Sequence, residues 1–187
     1  MSFDFELVSK RLRGSERRDL EEAWTGAAGP YGEVTLTVGR VSRRAELFCQ
    51  ALPEAWITHP DTFREGRIAL DGRTRLVVGG QEAELRQNRR AISKEERALR
   101  IRLGERHYDY LSTGTHTEEL RGAQHGPLVR FHRASHKKLE VTVRPEANAL
   151  DLALGLILQG ADMRNLTVTR AAVLGVLSFL DSREGET

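Results

Sequence analysis

At 187 residues, 39% hydrophobic and 30% charged, the chain is long enough to bury a core, and its composition excludes an intrinsically disordered protein. Its 29 basic and 27 acidic residues leave a net charge of +2, with the two signs interspersed and no single-sign block, a pattern that disfavours nucleic acid as a partner. Cys49 is the only cysteine, which excludes an internal disulfide and a multi-cysteine zinc site.

The elements begin unevenly. "FDFELV" (3–8) reads as a strand. "GSERRDLEEAW" (14–24) reads as a short helix with Ser15 as its N-cap, and "WTGAAGPYG" (24–32) as a loop of small residues. "EVTLTV" (33–38) alternates Val34, Leu36 and Val38 against polar partners and is a strand. "RRAELFCQAL" (43–52) fits helix or strand, and "PEAWITHPDTF" (53–63), bracketed by prolines, reads as irregular.

From Arg67 the pattern sharpens. Asp71-Gly72 and Gly79-Gly80 are both expected as two-residue hairpin turns. Short alternating segments follow at 97–103, 107–113, 117–122, 127–133 and 138–144, separated by glycines or polar loops. Leu99, Ile101 and Leu103 share one face, as do Leu139, Val141 and Val143, with charged or hydroxyl side chains opposite. Such a half-buried antiparallel meander of seven to ten strands predicts a barrel or a strongly curved sheet.

"PEANALDLALGLILQG" (145–160) is the most apolar stretch. Pro145 suits a first helical turn, Glu146 the positive helix N-terminus, and Gly160 a stop, which gives a helix over about 147–159. Its leucines point all the way round, so the helix is expected to be buried on every side. It is too short to span a bilayer, since ten residues rise only about 15 Å. The apolar run 171–180 is a second short helix, either a lid or a docking segment. No targeting segment is legible at the start, so the expected location is cytoplasmic, with no transmembrane segment.

The expected fold is therefore α+β, mainly β, with a meander wrapped around a central hydrophobic helix. Residues 1–162 would form this barrel-like domain and 163–187 an appendage. The meander from Arg97 to Arg144, the strand "KLEVTVR" running into Pro-Glu-Ala, and the helix "NALDLALGLIL" together resemble the tubby, phospholipid-scramblase and LURP-one-related superfamily. The resemblance implies a barrel around a central helix, and phosphoinositide binding (tubby) or action at membranes (scramblases). Residues beyond the helix depart from that family's pattern, and no family site carries over by position.

Several constellations are candidates for chemistry. Arg86, Arg89, Arg90, Lys94, Arg97, Arg100 and Arg102 form the most basic stretch, a candidate anion-binding stripe. Glu95 and Glu96 interrupt it, and no aromatic platform accompanies it. Val173, Leu174, Val176, Leu177, Phe179 and Leu180 are the candidate partner-docking residues. His107, His116, His125, His132 and His136 cluster within thirty residues, and His125, His132 and His136 could share one rim. Their spacing matches no recognised ligand motif, and neither a metal nor a cofactor is expected. Cys49 with His59 suggests a nucleophile and base, but a lone cysteine in "AELFCQAL" reads better as a buried small hydrophobe.

With no catalytic motif, the chain reads as a non-enzymatic binding or interaction module, docking as one component of a larger assembly with a protein partner or as a homo-oligomer. The alternative is a lipid or small apolar ligand binder at anionic membrane surfaces.

Overall fold

The structure, a computed structural model, describes residues 1–60, 63–64, 67–88, 93 and 95–163, with residues 63–64 as backbone only. Strand β1 (Phe3–Ser9) is followed by a single turn of helix, α1 (Glu16–Asp19), then β2 (Leu20–Ala27) and a 3-10 turn at Gly29–Tyr31. Next come β3 (Glu33–Gly39), β4 (Arg44–Phe48) and β5 (Ala55–Thr58), and a two-residue pair, β6 (Phe63–Arg64) and β7 (Arg67–Ile68). The chain continues through β8 (Arg75–Val78), β9 (Gln81–Gln87), β10 (Leu99–Leu103) and β11 (Arg106–Gly114). It finishes with β12 (Thr117–Gly122), β13 (Gly126–Ser135), β14 (Lys138–Val143) and helix α2 (Ala149–Leu158).

Twelve of these strands make a closed antiparallel barrel in up-and-down order, with β6 and β7 standing aside as their own small sheet. Each barrel strand pairs with its sequence neighbour, and β5 passes directly to β8. Closure comes from β1, which pairs with β14 from Phe3↔Val143 to Val8↔Lys138 and meets β2 at Val8↔Thr25 and Ser9↔Trp24. A closed sheet has no exposed edge to template aggregation. The alternation read in β10 and β14 holds: Leu99, Ile101, Leu103, Leu139, Val141 and Val143 are all buried, and Arg100 and Arg102 are exposed.

Four local readings need correction. The helix expected over 14–24 is one turn, and Ser15 lies in helical backbone with no side-chain cap bond. From Leu20 the chain becomes β2, where Trp24 and Ala23 are buried, so pairing with β3 overrides both the helix and the loop assigned to Trp24–Ala27. Residues 53–63 are not irregular throughout: Ala55 and Ile57 turn inward along β5, a full barrel member. Gly79 and Gly80 do form the expected tight turn, with φ of +58° and +76°. Asp71-Gly72 does not join two paired strands. It sits in a turn where the Thr74 N–H donates to the Asp71 carbonyl at 3.1 Å, and β7 and β8 have different partners.

Helix α2 starts later than Pro145 and Glu146 suggested. Asn148 is the N-cap: its side-chain oxygen accepts from the Leu150 and Asp151 N–H groups at 2.9 and 3.1 Å, and the Asp151 carboxylate accepts from the Asn148 N–H at 2.9 Å. This reciprocal box satisfies three otherwise orphaned donors of the first turn. Every residue from Asp151 to Leu158 is buried, and the helix touches β4, β5 and β8 as well as β12 and β13. Two glycines permit the approach. A Cβ on Gly155 would lie 2.7 Å from the Phe131 ring, and one on Gly160 would lie 2.6 Å from the Ala45 Cβ. Gly160 is thus required for packing, with no left-handed backbone to explain it.

No helix among the described residues is long and apolar enough to cross a membrane. The second helix expected at 171–180 lies outside the described residues.

Candidate functional site

Strands β9, β10 and β11 alternate charged outward residues with apolar inward ones, and their register decides which charges meet. Arg100 stands opposite Arg86 on β9 and Asp109 on β11; Arg102 stands opposite Glu84 and His107. Like charges directly opposed across a ladder repel, and Asp109 opposite Arg100 and Glu84 3.9 Å from Arg86 offset only part of that repulsion. The available carboxylates are committed unevenly. Glu84 accepts from Arg102 Nε at 3.1 Å and from its Nη2, and lies 3.9 Å from Arg86. The Arg102 hydrogen bonds hold the Glu84 carboxyl below the usual carboxylate range. Arg100 makes no hydrogen bond or ion pair among the described residues.

These side chains line a cleft of about 260 Å³ on the outer wall, with Arg86, Arg100, Arg102 and His107 against Glu84 and Asp109. A second cleft of about 290 Å³ adjoins it and reaches the N-terminal end of α2. The two share His107, Tyr108 and Ala123. Here the capping box already engages the Asn148, Leu150 and Asp151 amides of the helix terminus. The Asp151 carboxylate also accepts the Tyr108 hydroxyl at 2.7 Å and Arg106 Nη1 at 3.3 Å. Burial, then the hydrogen bond to Asp151, pushes the Tyr108 pKa up to about 12. The polar rim of this cleft is set by side chains: Glu105, Arg106, His107, His125 and Glu146.

Farther round the wall, the buried carboxylate of Glu119 is clamped by two guanidiniums. Arg121 donates to Oε2 at 3.1 and 2.9 Å, and Arg130 to Oε1 at 2.9 and 2.7 Å. Burial opposes the charged form, but the Arg121 and Arg130 hydrogen bonds together outweigh it and lower the carboxyl pKa. Such fork-to-carboxylate pairs are the strong, oriented kind of ion pair.

Of the expected basic stripe, Arg86, Arg100 and Arg102 gather in one cleft. Arg97 does not join them: it is only 7% exposed, with its backbone N–H on the Ser93 carbonyl. Arg89, Arg90 and Lys94 lie outside the described residues, as do Val173, Leu174, Val176, Leu177, Phe179 and Leu180. The histidines separate. His107 and His125 line the same cleft, whereas His132 meets Thr117 at 3.2 Å on the outer face. No group of three or more metal-ligating side chains converges among the described residues. Cys49 is half-buried rather than buried, its Sγ donating to the Tyr31 carbonyl at 3.2 Å, and His59 pairs with Asp71 at 2.9 Å.

Glu84, Asp109 and the Glu119 clamp are not marked by the sequence, and His107 is marked only as one of the clustered histidines, not as a neighbour of the arginines. The signal existed in the outward positions of each alternating segment, but only the register brings Glu84 to Arg102 and Glu119 to Arg130. The sequence matches no protein-family model, and comparison with curated proteins gives no match.

Proposed function

We propose that the chain is a non-enzymatic binding module whose barrel is built around α2 and whose arginine cleft rests on anionic surfaces, phosphate-bearing lipid head groups in particular. The observation that carries this is the Arg86–Arg100 pair: two guanidiniums opposed across the ladder, one of them unpartnered, in a 260 Å³ cleft with Arg102 and His107. An anion placed there relieves the repulsion and takes up free donors.

The scaffold reading is supported by α2 touching strands from both halves of the wall, with residues 152–158 buried. Barrels of about eight strands are filled by their own side chains, and a wider one needs other contents. A helix-filled barrel is also what resemblance to the tubby and scramblase superfamily implies.

Co-sedimentation with vesicles tests the reading. The protein should pellet with vesicles carrying anionic lipid at low salt, and release as salt rises. Indifference to anionic lipid at low salt would rule the reading out.

A protein-docking reading stands beside it, carried by the apolar run with Val173, Leu174, Val176, Leu177, Phe179 and Leu180. Removing residues 164–187 should then leave a folded barrel that no longer associates with its partner or with a second copy. An unfolded product would make that segment part of the core.

A further inference from the structure

The other end of α2 holds a different arrangement. Along β13 the inward positions are Val129, Phe131 and Arg133: the first two are fully buried, and the third is an arginine where alternation calls for an apolar residue. Leu139 of β14 stands opposite, and the Arg133 N–H donates to the His116 carbonyl at 2.8 Å. The Arg133 guanidinium lies 5.2 Å from the ring centroid of buried Trp24. It makes no hydrogen bond or ion pair among the described residues.

The carboxylates in its field are already engaged. Glu118 Oε2 accepts the Tyr110 hydroxyl at 2.6 Å and the Gln159 amide at 3.1 Å. Glu22 accepts from Arg67 at 3.5 Å, and Arg67 also donates to the Gln159 carbonyl at 3.1 Å. Burial, then the neighbouring Arg67 charge, holds Arg133 below the ordinary arginine range, so its charge is under-compensated where it stands. Beside it is a cavity of about 80 Å³ lined by Thr115, His116, Glu118, Phe131, Arg133 and Gln159.

We infer that this cavity is a binding site for one compact soluble oxyanion of the phosphate class, held by the fork of Arg133 with Thr115 and His116 at its edge. The cation–π contact with Trp24 holds the guanidinium in place without using its N–H groups, which can address an oxyanion in pairs. The size restricts the ligand to a single group: a water molecule takes about 30 Å³, so the space equals two or three waters. A nucleotide or an entire lipid head group does not fit. Among the described residues lining the cavity Glu118 is the acidic one, so removing its charge should tighten binding.

Inorganic phosphate is the probe, at matched ionic strength against chloride. The chain has two tryptophans, so a Trp56→Phe background leaves Trp24 beneath Arg133 as the fluorescent reporter. The expected result is a saturable Trp24 response to phosphate and a matching rise in melting temperature. Arg133→Gln should weaken binding about tenfold or more, as loss of one charge-assisted pair implies, and Arg133→Lys should fall between. Glu118→Gln should bind more tightly, a readout independent of whether the Arg133 variants fold. Absence of a saturable phosphate response, or an equal response in folded Arg133→Gln, would overturn the site. A response to phosphatidate vesicles without one to free phosphate would overturn it too.

Discussion

The Tyr108 hydroxyl donates to the Asp151 carboxylate at 2.7 Å across 43 residues of sequence, joining strand β11 to the first turn of α2. Both residues are nearly inaccessible, 4% and 3% exposed. One carboxylate thus closes the helix cap with one oxygen and anchors the helix to the barrel wall with the other.

Replacing that carboxylate therefore removes two supports. Asp151→Ala should cost about 1 kcal/mol for the cap and about 1–3 kcal/mol for the unpaired Tyr108 hydroxyl. The contact from half-exposed Arg106 adds little. Urea unfolding measures the sum, about 2–4 kcal/mol by these increments. A loss too small to resolve would show that the helix is held by apolar packing alone.

The same contact makes an alkaline prediction. The Tyr108 pKa is raised in the folded state to about 12 from its ordinary value of 10.0. Its stabilising contribution is complete below the unfolded value and is lost as pH rises through the folded one. Two pH units correspond to about 2–3 kcal/mol. Stability should fall between those limits, and Tyr108→Phe should flatten its share of the fall; an unchanged profile in that variant would contradict the assignment. Tyr110, held well above its ordinary value by burial and the Glu118 charge, contributes in the same direction.

Gly155 sits against a rigid neighbour. In an ordinary exposed helix Gly→Ala gains up to about 1 kcal/mol. Here the new Cβ would stand 2.7 Å from Phe131 Cζ and 3.0 Å from Cε2, in a ring that is 1% exposed. Gly155→Ala should instead destabilise by about 1–3 kcal/mol, and Phe131→Leu in the same chain should recover part of the loss. Thermal unfolding of the single and double variants checks both signs.

Much of this was legible in sequence, for definable reasons. Leu99-Ile101-Leu103 and Leu139-Val141-Val143 announced strands because one face is buried, and Gly79-Gly80 announced its hairpin because both residues take positive φ. The barrel was expected, but the strands that close it were not legible: β1 and β14 pair across nearly the whole meander, and nothing local in "FDFELV" names its partner. The cap has a sequence signal as well, since Asn148, three residues after Pro145, and Asp151 stand at capping-box spacing. For the cleft, Arg86, Arg100 and Arg102 were visible as charge, but their convergence depends on β9–β10 register. Arg97 failed for a physical reason: sequence proximity to those arginines says nothing about which face a residue takes beyond the end of a strand.

The Glu119 clamp yields an acid-side prediction. Its carboxyl pKa is lowered in the folded state, so its contribution is present above the unfolded value and lost as pH falls through the folded one. Glu119→Gln should destabilise by about 1–3 kcal/mol at neutral pH, less than a fully buried pair because both arginines reach solvent. Urea midpoints of wild type and variant should converge under strongly acidic conditions. A constant gap at all pH values would mean that shape, not charge, holds the clamp.

Under the proposed function the cleft, rather than net charge, binds an anionic surface. The direct measurement is co-sedimentation of two folded triple variants with anionic vesicles at low salt: Arg86→Gln/Arg100→Gln/Arg102→Gln in the cleft, and Arg40→Gln/Arg44→Gln/Arg75→Gln on other strands and turns. Each removes three positive charges. The cleft variant should lose most of its binding while the other stays close to wild type; equal losses in the two would contradict a defined site.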